Sequence, residues 1–133
     1  MSLNEFEQRI AQFVAKRREQ EVLEVYGMMA VAKAFQAYPS FTTVPYKGII
    51  IPTATDNWYC EVICTADRHG ELVSINPDFT YYVLVTQRGP DRFRIVGYAR
   101  KADLFVPENL RSEDPDTYVL PQEKLRGFSS WSS

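Results

Sequence analysis

Apolar positions recur at helical spacing in the first third of the chain and at strand spacing through the rest. Leu3, Phe6, Ile10, Phe13 and Val14 form one helical stripe, with Gln8, Lys16 and Arg17 away from it. Ser2-Leu3-Asn4-Glu5 has capping-box spacing, so the first helix is expected to start there. The charged segment Lys16 to Glu21 either continues that helix or divides it from a second. Val22, Val25, Met29, Ala32 and Phe35, flanked by Leu23, Tyr26 and Ala30, predict a second helix that is apolar around more of its circumference and so more deeply buried.

From Tyr38 the pattern changes. Pro39 and Pro45 end helical propensity, and strand-like runs follow. Gly48 to Ile51, the turn TATDN and Trp58 to Thr65 (WYCEVICT) predict an antiparallel hairpin. DRHG separates this from Leu72 to Ile75, and Asn76-Pro77-Asp78 is a further turn. Tyr81 to Thr86, QRGPDR and Phe93 to Tyr98 predict a second hairpin. Ala99 to Phe105 reads as a short helix or turn, residues 106 to 117 as loop, Tyr118 to Leu120 as extended chain and Pro121 to Leu125 as one helical turn. Helices first and hairpins afterwards predict an α+β fold, with N-terminal helices packed on a mixed, mainly hairpin-built sheet. Residues 1 to 128 are expected to form one domain and 129 to 133 a mobile tail.

A chain of 133 residues buries enough surface to fold around a single core without disulfides or metals. Its net charge of -2 argues against bulk electrostatic coating of nucleic acid but leaves room for a local basic strip. Cys60 and Cys64 would lie about 13 Å apart along an extended strand, too far for a disulfide. Two free thiols and a start unlike a signal peptide point to the cytoplasm. No apolar run approaches the ~20 residues that span a bilayer, so no membrane role is expected. The single histidine, His69, lies in the turn-like DRHG, where it is either a solvated turn residue or a lone general base.

The chemistry-bearing stretch is WYCEVICT. Strand alternation sends Trp58, Cys60, Val62 and Cys64 one way and Tyr59, Glu61, Ile63 and Thr65 the other. Glu61 in this apolar run is a metal ligand, a partner for a basic side chain, or an edge-strand charge that discourages aggregation.

The order of elements from Glu21 to Phe128 resembles that of the PD-(D/E)XK nuclease-like superfamily, the restriction-endonuclease-like fold. Val44-Pro45-Tyr46-Lys47-Gly48 sits where that family's first catalytic strand runs, and Glu61-Val62-Ile63 where its D/E-x-K motif lies. DFTYYVLVT, FRIVGYARKADL and YVLPQEKLRGF are similar to the tail of small phage and bacterial members. The resemblance implies a restriction-endonuclease-like core and a Mg²⁺-dependent phosphodiester hydrolysis site. It also implies a homodimer. Against that pattern, Tyr46 stands where the aspartate belongs and Ile63 where the lysine belongs. An isoleucine neither donates a hydrogen bond nor carries charge, so the expectation is a member with a degraded site, acting as a nucleic-acid-binding or protein-interaction module. The alternative is a rearranged endonuclease site built on Glu61, Asp56 and Glu24, with Glu61 as Mg²⁺ ligand. Glu21, Lys47 and Arg68 are further candidates for the missing groups.

Arg88, Arg92, Arg94, Arg100 and Lys101 cluster in and after the second hairpin, interleaved with Phe93 and Tyr98. They are either a phosphate-contacting strip on DNA or a solvated surface partly neutralised by Asp91 and Asp103. Tyr81 and Tyr82 must face opposite sides of their strand, and the outward one is a candidate self-association surface.

Overall fold

The first helix is capped by Asn4 rather than Ser2. In this computed structural model, which describes residues 1–17, 22–35, 48–52 and 57–128, the Glu7 amide donates to Asn4 Oδ1 and the Asn4 amide donates to Glu7 Oε1, both at 2.8 Å. The capping box thus sits two residues later than its sequence spacing predicts, and helix α1 spans Glu5–Arg17. Residues 1 to 3 are held elsewhere: the Phe93 amide donates to the Met1 carbonyl and the Leu3 amide to the Asp91 carbonyl.

Helix α2, Val22–Ala34, buries Val25, Met28, Ala30, Val31 and Ala32, as its nearly all-round apolar sequence predicts. Gly27 explains how closely α2 lies on the sheet. A Cβ placed there would stand 2.5 Å from Cys64 Cβ, so only glycine fits. Helix α1 packs on α2 through Ala11, Ala15 and Val25. Of the apolar stripe read along this helix, Leu3 is buried and Val14 packs against the contact, while Phe6 and Phe13 point outward, 71 % and 62 % exposed. Small alanines allow the two helices to approach closely, and that contact fixes the rotation of α1.

Strands β1 (Gly48–Pro52), β2 (Asn57–Thr65), β4 (Tyr81–Gln87) and β5 (Phe93–Arg100) form one sheet in the order β1-β2-β4-β5. Both predicted hairpins are present, with Ile49 opposite Cys60 in one and Val83 opposite Tyr98 in the other. Between them β2 and β4 run parallel, with Glu61 beside Tyr82 and Thr65 beside Thr86. Strand β3 (Leu72–Ser74) makes this crossover possible by leaving the sheet. It joins a second sheet, β3-β7-β6, with β6 at Leu110–Ser112 and β7 at Thr117–Leu120. The stretch from 106 to 117 is therefore not all loop; it holds a 3-10 turn at Pro107–Asn109 and strand β6.

The fold is α+β, with the two N-terminal helices on one face of the mixed sheet. Cys60, Val62, Val83, Val85, Phe93 and Tyr98 face α2. Tyr59, Ile63, Tyr82, Leu84 and Ala99 face the second sheet and the short helix α3, Lys101–Leu104. Tyr82 is fully buried, while half-buried Tyr81 stacks on Trp58 at 4.3 Å between ring centres. Among the described residues no helix is long and apolar enough to cross a membrane.

Candidate functional site

Of the three carboxylates that the sequence offers as catalytic, Glu61 and Glu24 lie on opposite faces of the sheet. Glu61 points towards the second sheet and is 6 % exposed; the Ser74 hydroxyl of β3 donates to its Oε1 at 2.6 Å. The same hydroxyl accepts from the Asn76 amide at 3.2 Å, and the Tyr82 hydroxyl donates to the Asn76 carbonyl at 2.5 Å. Burial, then the charges of Glu61 and Asp78, push the Tyr82 phenol up.

Glu24 lies on α2, across the sheet from Glu61. Its charge reaches Cys64, whose thiol is pushed up to about 12 by burial first and by Glu24 second. The structure therefore does not bring Glu61 and Glu24 into one site. Asp56, Glu21, Tyr46 and Lys47 lie outside the described residues. Ile63 shares the Glu61 face. Strand β2 is internal, flanked by β1 and β4, so Glu61 is not an edge-strand charge.

A hard cation such as Mg²⁺ needs several oxygen donors converging on one point. Among the described residues no three His, Cys, Asp or Glu side chains group in that way, and Glu61 already accepts the Ser74 hydrogen bond. Among the described residues, those around Glu61 do not supply the converging oxygen donors of a Mg²⁺ centre.

The basic residues divide into two groups. Arg88, Arg92 and Arg94 line one concavity of about 580 Å³ at the edge of β5, together with Met1, Ser2 and Phe93. Arg68, in the loop after β2, does not line the concavity but lies near enough for its charge to act on Arg88. Partial burial, then the charges of Arg68 and Arg94, push the Arg88 guanidinium below its ordinary value. The parallel register explains this grouping: it sets the ends of β2 and β4 side by side, Thr65 against Thr86, and the Arg88 Nε donates to Thr86 Oγ1 at 3.2 Å. Arg100 and Lys101 stand at the far end of β5, about 20 Å from Arg94 at the rise of an extended strand. The five-residue strip read from the sequence is thus a cluster of three with a fourth member, Arg68, and a separate pair.

Elsewhere the protein pairs several of its cations. Arg9 meets Glu5, Lys33 meets Glu7 and Arg126 meets Asp103. Among the described residues Arg68, Arg88, Arg92 and Arg94 form no ion pair, although Asp67 and Asp91 are their sequence neighbours. His69 is exposed in its turn, where its amide donates to Asp67 Oδ1.

Arg68 joins the cluster only because β2 and β4 are parallel, a pairing that two predicted hairpins do not disclose. Ser74 gave no signal beyond lying in a short strand. No family model, curated protein or solved structure matches this chain. The resemblance to PD-(D/E)XK nucleases therefore has only the sequence pattern behind it.

Proposed function

We propose that this chain is a non-catalytic nucleic-acid-binding module, a nuclease-like domain without a working hydrolytic site, that holds backbone phosphates of DNA at Arg68, Arg88, Arg92 and Arg94. The gathering of four guanidinium groups that have no carboxylate partner among the described residues carries the reading. Holding like charges together is unfavourable until an anion arrives, and guanidinium binds phosphate through two parallel donors. An open concavity suits a chain of phosphates passing across it. Such contacts position a nucleic acid without reading its sequence.

The positions of the two described candidate carboxylates support the non-catalytic reading. Glu61 is covered by the second layer, where a phosphodiester cannot reach it, and Glu24 is on the other side of the sheet. The two thiols suit a cytoplasmic setting.

The measurement is fluorescence anisotropy with labelled single- and double-stranded DNA across a salt series. Binding should weaken steeply as salt rises, and Arg92→Ala/Arg94→Ala should lower affinity and flatten the salt slope by about one unit per lost phosphate contact. Binding unchanged by that double substitution overturns the reading and leaves a protein partner as the occupant. Incubation with plasmid in Mg²⁺ or Mn²⁺ tests the endonuclease alternative: cleavage that disappears in Glu61→Ala would reinstate a catalytic role.

A further inference from the structure

We propose that the cavity beside α3, at the end of β5 far from the arginine cluster, binds a small zwitterion: an amino acid or short peptide that presents an ammonium to Glu108 and Asn109 and a carboxylate to Lys124. Those three residues line the cavity together with the apolar Ala102, Val106 and Leu120. Its volume of about 380 Å³ is that of a small-molecule site. Asn109 is the fixed element, at 6 % exposure. Helix α3 leaves its last carbonyls without donors of its own, and the Asn109 Nδ2 donates to those of Asp103 at 2.9 Å and Leu104 at 3.0 Å. Carbonyl oxygens only accept, so turning the amide over would set Oδ1 against two of them. Nδ2 is thus spent on α3 and Oδ1 is left to pair elsewhere. Among the described residues Oδ1 accepts no hydrogen bond, yet it is not sealed from solvent. A buried side chain that holds an open acceptor on a cavity wall is built to receive a donor.

Charge around the cavity selects the ligand. Glu108 stands next to Asn109 in the turn Pro107–Asn109, and Lys124 ends the 3-10 turn Gln122–Lys124. Both are exposed, and among the described residues neither forms an ion pair, with each other or with any other side chain. Opposite charges on one cavity that do not meet leave room for a molecule between them. An ammonium has three donors and no acceptor, which suits the Glu108 carboxylate beside Asn109 Oδ1. A carboxylate at the other end of the ligand takes the Lys124 ammonium. A plain amine is disfavoured by Lys124 and a plain anion by Glu108. Asp103 and Arg126 also line the cavity, but they neutralise each other and leave that balance unchanged. Ala102, Val106 and Leu120 offer an aliphatic side chain an apolar wall.

Two-dimensional NMR of the full chain, titrated with L-leucine to about 10 mM because so small a ligand is held weakly, tests the proposal. The expected result is saturable shifts at the amides of Glu108, Asn109 and Lys124, with those of Arg92 and Arg94 unmoved. N-acetyl-leucine lacks the ammonium and leucine amide lacks the carboxylate. Each should bind about tenfold more weakly, the scale of one charge-assisted contact. Asn109→Ala uncaps α3 and disturbs the fold, so Glu108→Gln and Lys124→Gln, both at exposed positions, are the variants to use. Each should lower leucine affinity about tenfold with an unchanged circular dichroism spectrum. Glycylleucine distinguishes the sources: tighter binding than leucine assigns the cavity to a peptide, weaker binding to a free amino acid. Absence of a saturable shift with both leucine and glycylleucine overturns the proposal. So does binding of the two blocked derivatives as tight as that of leucine, or leucine affinity unchanged in both variants.

Discussion

Ser74 of β3 donates a hydrogen bond to Glu61 of β2 across the boundary between the two sheets, at 2.6 Å and with both side chains buried. A buried hydrogen bond to a charged acceptor contributes more than a neutral one, on the order of 1.5–3 kcal/mol. Ser74→Ala should therefore destabilise the fold by about 2 kcal/mol in urea unfolding. Glu61→Gln keeps an acceptor but loses the charge, and should cost less than Ser74→Ala. A double-mutant cycle between the two positions should return a coupling of about 1 kcal/mol or more. Additive losses would mean that Glu61 is held chiefly by other contacts.

Gly27 and Cys64 set the distance between α2 and the sheet. A Cβ at position 27 would meet Cys64 Cβ at 2.5 Å and Cys64 Sγ at 3.2 Å, inside van der Waals contact. Helix propensity favours alanine over glycine by about 1 kcal/mol, so a free site would gain stability. Here overpacking should dominate, and Gly27→Ala should destabilise by roughly 1–3 kcal/mol in thermal or urea unfolding. Adding Cys64→Ala should relieve little of the loss, because the closest clash is with Cβ, which alanine retains.

Local pattern disclosed the elements of this fold better than their mutual arrangement. The helix of Val22–Ala34 and the hairpins joining β1 to β2 and β4 to β5 followed from apolar periodicity and turn residues. Alternation in WYCEVICT correctly put Glu61 and Ile63 on the face opposite Cys60 and Val62. The rotation of α1 was not legible, because Phe6, Ile10 and Phe13 outrank Ala11 and Ala15 on any hydrophobicity scale while the alanines pack closer. Nor was the parallel pairing of β2 with β4. That depends on β3 departing to pair with β7, some 45 residues downstream in sequence, a non-local choice that no window of residues encodes. The cluster of Arg68 with Arg88 and Arg94 inherits that opacity. So does the separation of Glu24 from Glu61, since the face to which α2 docks is settled by packing.

Asp103 joins three parts of the C-terminal half. Its carboxylate accepts from the Arg126 guanidinium at 2.8 and 3.2 Å and from the Arg100 amide at 3.0 Å, at the start of α3. The Arg126 hydrogen bond chiefly holds the carboxyl below its ordinary value of 3.8. A depressed carboxyl pKa means that the unfolded chain binds the proton more readily, so the stabilisation is complete above that ordinary value and is lost as pH falls through the folded one. Asp103→Asn should lower stability near pH 7 by about 1 kcal/mol, the scale of a partly exposed charge-assisted cap. The gap from the native protein should close as acid protonates Asp103. A gap that stays constant from pH 7 down to pH 2.5 would assign the loss to packing instead.

Cys60 and Cys64 should be inert in the folded protein. Both lie on the α2 face of the sheet, Cys60 fully buried. Burial pushes both thiols up, and Glu24 adds to the shift at Cys64, which reaches about 12 against an ordinary 9.0. The thiolate is the reactive form, so a thiol-specific disulfide reagent at pH 8 should titrate neither cysteine in the native state and both in urea. The same shifts fix the sign of the alkaline response. The folded state retains protons that the unfolded state releases, so stability should fall as pH rises above 9.0, before the native thiols ionise. Replacing Cys64 by serine, which does not titrate in that range, should flatten part of the fall, and unfolding midpoints at pH 8 and pH 10 would measure it. An undiminished slope in that variant would trace the alkaline loss to Cys60 and the buried tyrosines rather than to Cys64.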